Sequence, residues 1–122
     1  MIVGLSIAAL SGVGSVLRFV VDRALQRRVR TVFPTGTLAV NSTAAFAIGL
    51  VSGLAAHHGA PATAVKLSAV GFLGGYSTFS TWTFETLALG ESGALLEAGL
   101  NVAGTFVLAL FGAAAGYGVG SL

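Results

Sequence analysis

The 122-residue sequence has no cysteine, only two prolines and a single tryptophan, and charged residues make up just 8% of it. Without cysteine there is no disulfide framework, no thiolate metal site and no cysteine nucleophile. Scarcity of charge excludes more. Ordinary soluble domains are about 25% charged, and a body this small has too few polar groups here to cover a water-facing surface. What is present in excess is apolar: 55% hydrophobic residues and 18 glycines, with a mean hydropathy of +0.92. Such a chain requires lipid. One bilayer-spanning helix takes about 20 apolar residues, so four spans would consume about 80 positions and leave no room for a soluble domain.

Uncharged stretches at 1–17, 31–65, 67–84 and 98–122 each approach or exceed the spanning length. The expected fold is therefore an all-α membrane protein forming one unit over 1–122, with helices at 2–21, 33–56, 62–86 and 95–118. Between them, 22–31 reads as an Arg-rich loop, His57 to Pro61 as a turn with a helix-starting proline, and Leu89 to Gly93 as another turn. The first segment lacks the basic start and the cleavage site of a signal peptide, so it counts as a span. Four spans place both termini and Lys66 on one side. An offset of 60 residues pairs Gly14 with Gly74, Phe19 with Phe79, Asn41 with Asn101 and Phe46 with Phe106. A duplicated hairpin and chance in a Gly- and Ala-rich chain both account for this.

The third helix departs from a plain lipid-facing pattern. Gly74-Gly75-Tyr76-Ser77-Thr78-Phe79-Ser80-Thr81-Trp82-Thr83 puts a glycine pair and five Ser or Thr residues in mid-span. A helix broken near Gly74 to Thr78 is expected, and freed carbonyls must then face a cavity, another subunit or an ion. Gly12, Gly14, Gly49 and Gly53 read more simply as close-approach positions between helices. Phe79 and Trp82 are three apart and share a face. Aromatic ring edges carry partial positive charge, so edges beside hydroxyls can replace water around a small anion, although packing accounts for an aromatic pair equally well. Asn41 offers amide donors amid apolar neighbours, either to an anion or as interhelical glue. Asn101 and Thr105 form a second polar stripe with the same two readings. Arg18 either snorkels to the interface or concentrates anions at a pore mouth. Glu85 is expected as a solvated charge at the other mouth, and His57 and His58 have no metal-binding spacing.

No intramembrane acid faces a base and no nucleophile has a histidine partner, so catalysis is not expected. Beside a membrane span, the arginines at 23–30 read as orientation charge and headgroup contacts rather than a nucleic-acid surface. Four of them, Arg23, Arg27, Arg28 and Arg30, stand against Lys66 on the opposite side. Positive-inside reasoning places the first and third loops in the cytoplasm.

Gly36-Thr37-Leu38-Ala39-Val40-Asn41, the run from Gly71 to Thr81, and Gly12-x-Gly14-Ser15-x-x-Arg18 resemble the CrcB, or Fluc, fluoride channels. The resemblance covers nearly the whole chain. It implies a multi-pass protein of the cell membrane that passively exports fluoride, an antiparallel dimer made with a second copy or a homologous subunit, and hence insertion in both orientations. It also implies a structural sodium ion (Na+) held by the backbone carbonyls of Gly74 and Ser77, where the family usually has threonine instead of Ser77. On the fluoride path it places Asn41, Phe79, Ser80, Thr81 and Thr105, with Arg18 near the entrance. Trp82 stands where the family has a second phenylalanine. That departure leaves open a scaffold subunit of a heterodimer, non-conducting or half-conducting. A proton-coupled antiporter is the rival transport class, and it normally needs a membrane-buried carboxylate.

Overall fold

The computed structural model describes residues 1–122 and contains helices but no strands. Helix α1 (Ile2–Arg28), α2 (Thr35–His58) and α6 (Leu95–Gly120) are each long and apolar enough to cross a membrane. The remaining span is interrupted. It comprises α3 (Ala62–Val65), a π-helical segment (Lys66–Leu73), α4 (Gly74–Tyr76) and, after a non-helical step, α5 (Ser80–Glu91).

The ends differ from expectation in instructive ways. Helix α1 runs on to Arg28, through the stretch expected as a loop, because Ala24, Leu25, Gln26, Arg27 and Arg28 are all good helix formers. At 27 residues the helix is about 40 Å long, some 10 Å more than a hydrocarbon core. Its arginines therefore mark where the helix leaves lipid, not where it stops. Gln26 then fastens the following loop, donating to the carbonyls of Thr31 (3.0 Å) and Phe33 (3.2 Å) and accepting from the Thr35 hydroxyl (3.2 Å). Helix α2 ends where Gly59 takes φ +63°, a left-handed cap that glycine adopts without strain. Helix α5 likewise outlasts the expected 86 and reaches Glu91, and Gly93, at φ +84°, makes the turn into α6.

Glycine sets the packing. Cβ atoms at Gly49 and Gly53 would collide with the α6 backbone at Ala113, Tyr117 and Gly120, while Gly116 and Gly120 face Phe46 and Leu50 of α2. The two backbones thus touch along their length, the small-residue packing expected between helices in lipid. On the other side, Gly14 of α1 abuts Phe72 and Tyr76, and Gly75 abuts Ser11. Gly12 is the exception, since a Cβ there would meet nothing within 4 Å; it faces away from the helix pair that Gly14 serves. The halves of the interrupted span take different partners. Residues 66–76 lie on α1 and α5 lies on α6, so the break is where the chain passes from one helix pair to the other.

Candidate functional site

The break falls just after the glycine pair. Gly74 and Gly75 remain helical, and the chain turns extended at Ser77 (φ −75°, ψ 160°). Side chains hold it open. Asn41 accepts from the Thr78 N–H (2.9 Å) and donates to the Thr78 carbonyl (2.9 Å), so an α2 side chain takes both backbone groups of one residue. The Thr78 hydroxyl accepts from the Thr81 N–H (3.2 Å) and donates to the Thr81 hydroxyl (3.0 Å). It thereby performs the office of an N-cap for α5.

These two captures have a consequence four residues back. In an unbroken helix the Thr78 N–H would go to the Gly74 carbonyl and the Thr81 N–H to the Ser77 carbonyl. Both donors are spent elsewhere. The carbonyls of Gly74 and Ser77 are thereby freed together, and Gly74 lies at the exposed surface of the chain. Hard oxygen donors of this kind suit an alkali cation, so the residues fit the sodium ligation that the sequence resemblance implies.

Around the break lie three adjoining clefts. One, of about 320 Å³, is lined by Asn41, Ser77, Thr78, Phe79, Trp82, Thr105, Phe106 and Ala109. A second, of about 200 Å³, joins Arg18 to Thr37, Thr78 and Thr81. The third, of about 540 Å³, opens between Asp22, Arg23, Gln26, Thr81 and Glu85. Thr78 and Thr81 are shared walls, so a line of hydroxyls runs from the aromatic cleft toward the Arg-rich end of α1. Of the anticipated residues, the fold gathers Asn41, Phe79, Trp82 and Thr105 in one cleft and Arg18 with Thr81 in the next. Ser80 is exposed and lines none of the three, with its hydroxyl 3.5 Å from that of Thr78.

The aromatic pair is close, with ring centroids 5.2 Å apart and planes at 51°. Phe79 is 75% exposed and Phe106, across the cleft, 70% exposed. Behind them α5 is stitched to α6. The Trp82 indole N–H donates to the Asn101 carbonyl (3.1 Å), the Asn101 amide to the Thr86 hydroxyl (2.9 Å), and the Thr105 hydroxyl to Asn101 Oδ1 (3.5 Å). The two asparagines paired by the 60-residue offset thus clamp the interrupted span from opposite sides. Gly14 and Gly74 are not equivalent in the same sense, because only Gly14 sits against a neighbouring backbone.

Glu85 departs from the expected solvated charge. It is half-buried and accepts from the Thr37 hydroxyl (3.0 Å), while its Oε2 is buried with no hydrogen-bond partner. The reason is the length of α5, which carries Glu85 past the break but stops it short of the helix end at Glu91. Arg23 lies over the Phe19 ring, 5.3 Å from its centroid. Thr78, Thr37 and Phe106 appeared in the sequence only as parts of the break, a motif and the offset, and were given no site role there. Thr78 carried a readable signal, a Ser or Thr three residues before another at the start of a helix. Thr37 and Phe106 offered none, because their roles depend on which helices are neighbours.

Fold and site together define a multi-pass, all-helical membrane protein whose interrupted span is lined by hydroxyls, an amide and aromatic edges. Residues 5–117 match the model of the family described as CrcB-like protein, Camphor Resistance (CrcB). The chain is 48% identical over 116 residues to the fluoride-specific ion channel FluC 1 of Frankia casuarinae, covering 91% of this chain and 89% of that one. It is 44% identical over 112 residues to FluC 2 of Mycobacterium tuberculosis strain H37Rv (92% and 86%), and 40% identical over 113 residues to FluC of Geobacter sulfurreducens (92% and 91%). The chain belongs to the CrcB family, a family of ion channels and not of enzymes.

Proposed function

We propose that this chain is a fluoride-selective channel that lets fluoride leave the cytoplasm passively, down its electrochemical gradient. The observation that carries the reading is the cleft in which Asn41, Phe79, Trp82 and Thr105 converge, continued through Thr78 and Thr81 toward Arg18. Fluoride is small and holds its water tightly, so a path must offer close substitutes for that shell. Hydroxyls and an amide supply strong donors, and ring edges supply weak ones, so the ion is held without being trapped. Arg18 and the Arg-rich end of α1 raise the local anion concentration. Relatives that are 44% and 48% identical to this chain over most of its length carry the name fluoride-specific ion channel.

The working unit is an antiparallel dimer. Phe79 and Phe106 are exposed, and the cleft they line is completed by a second subunit. The same arrangement serves sodium. Two carbonyls from Gly74 and Ser77 are half of a plausible shell, and the matching pair from the second subunit supplies the rest. Ser77 in place of threonine leaves this unchanged, because the ligand is the backbone oxygen. Once bound, the ion fixes the two breaks against each other.

Two observations favour a second reading. Four arginines against one lysine bias the chain toward a single orientation, and Trp82 narrows its own cleft. Both suit a scaffold subunit paired with an oppositely oriented homologue. The deciding experiment uses the purified chain alone in potassium fluoride-loaded liposomes, with a potassium ionophore added to release the membrane potential. A channel discharges fluoride with no proton gradient. Efflux that requires a proton gradient would identify an antiporter, and no efflux from a folded dimer would leave the scaffold reading.

A further inference from the structure

The only tryptophan in the chain lines the aromatic cleft, yet its one strong hydrogen-bond donor is turned out of that cleft. The indole N–H reaches the backbone carbonyl of Asn101 on α6 at 3.1 Å. Asn101 is 0% exposed, and its side chain holds α5 one turn further on, through the Thr86 hydroxyl at 2.9 Å. Trp82 and Thr86 lie four apart on α5 and therefore on one face. A single α6 residue thus grips two consecutive turns of that face, one through its carbonyl and one through its amide.

This matters chemically because an indole N–H and a ring C–H are very different partners for a desolvated fluoride. A further N–H donor aimed into the cleft would add a strong charge-assisted hydrogen bond to the amide and hydroxyl donors already there and tip the balance from passing the ion to holding it. The C–H edge attracts it only through the ring quadrupole. Which of the two the cleft presents depends on the rotation of one side chain, and the Asn101 contact fixes that rotation.

We propose that Asn101 is a positioning residue that sequesters the Trp82 indole N–H against α6, so that Trp82 presents only its ring edge to a passing anion. The inference rests on reading the cleft as an anion path, and it concerns a residue that does not line that cleft. With the Asn101 side chain removed, α5 is no longer held at the Thr86 turn. The carbonyl then drifts out of reach, the indole rotates, and its N–H enters the cleft.

Because there is a single indole, one N–H resonance reports on it without ambiguity. In the wild-type chain, labelled at tryptophan nitrogen and reconstituted in lipid, that proton should exchange with deuterated water about tenfold more slowly than a free indole, as one intact hydrogen bond requires. Its shift should not move on fluoride titration. A resonance that moves with fluoride, or that exchanges freely, overturns the proposal and requires no variant to fold. In Asn101→Ala the protection should be lost and the resonance should become fluoride-sensitive.

Flux provides the second arm. Asn101→Ala should slow fluoride efflux about tenfold in the parent chain but less than about twofold in a Trp82→Phe background, because the phenyl ring has no N–H to misplace. Equal losses in both backgrounds would mean that Asn101 acts by packing helices or through the Thr105 hydroxyl it accepts from, and would overturn the positioning role. If the parent chain carries no fluoride, the channel reading fails, and the exchange measurement alone then decides the orientation of Trp82.

Discussion

Replacing Asn41 with leucine keeps the bulk of the side chain and removes two hydrogen bonds at once, one from the Thr78 N–H and one to its carbonyl, each 2.9 Å long. Thr78 is 9% exposed and walls two clefts, so water replaces the lost partners only in part. Hydrogen bonds between helices in lipid contribute about 0.6–2 kcal/mol each, and an orphaned buried group costs about 1–3 kcal/mol. For two groups the loss is about 1–6 kcal/mol, with the upper part reached only if the break stays open. It need not stay open. The Thr78 N–H can return to the Gly74 carbonyl, rebuilding one helical bond and recovering about 1 kcal/mol. That relaxation has a specific cost, because it occupies a carbonyl proposed as a sodium ligand. Asn41→Leu should therefore lower stability by about 2–4 kcal/mol, measured by unfolding of the reconstituted dimer in graded denaturing detergent, and should also remove the dependence of stability on sodium. Serine or alanine at 41 should behave alike, since neither side chain can reach both groups. Parental stability together with intact sodium dependence would refute the claim that Asn41 holds the break open.

Trp82→Phe should raise fluoride efflux from liposomes several-fold by widening the aromatic cleft, whereas Phe79→Ile, which keeps bulk but loses the ring edge, should abolish it; unchanged flux in both would make this face packing alone. Ser77→Ala should preserve the proposed sodium dependence of stability because a carbonyl is the proposed ligand, and Gly74→Val should impair it; stability indifferent to replacement of sodium by a large organic cation would count against any bound metal. Gly116→Val, which drives a side chain into Phe46 of α2, should cost about 2–4 kcal/mol of stability, while Gly118→Ala, which meets nothing within 4 Å, should be close to neutral in the same detergent titration. Reporters fused to the carboxyl terminus should give comparable cytoplasmic and periplasmic signals if the chain inserts both ways; a strong bias to one side would favour pairing with a homologous subunit.

Much of this architecture is written in local sequence. Uncharged runs declare the spans, since nothing but lipid accommodates them, and the glycine pair followed by hydroxyls marks the third span as unable to continue as a helix. The exact place of the break is set elsewhere. Gly75 is held against α1 by Ser11 and by Ser15, the latter donating to the Gly75 carbonyl at 3.2 Å, and the chain opens only where Asn41 can seize Thr78. That capture joins residues 37 apart and leaves no local trace. Helix ends were misplaced at α1 and α5 for a related reason: charge reports the edge of the hydrocarbon, and helices continue past it when their residues favour it. Glu85 was misread because its burial depends on Thr37 of another helix. Trp82 was legible as an unusual ring in the right place, but the partner of its N–H was not, since that required knowing that α5 and α6 are neighbours.

The central claim is that this chain, without a partner gene, forms a path that accepts fluoride and rejects chloride. Liposomes containing only the purified, verified dimer and loaded with equal fluoride and chloride test it directly, with each anion followed by its own electrode after the potassium ionophore is added. Fluoride should appear outside within seconds while chloride stays inside. Chloride leaving as fast as fluoride would contradict the account.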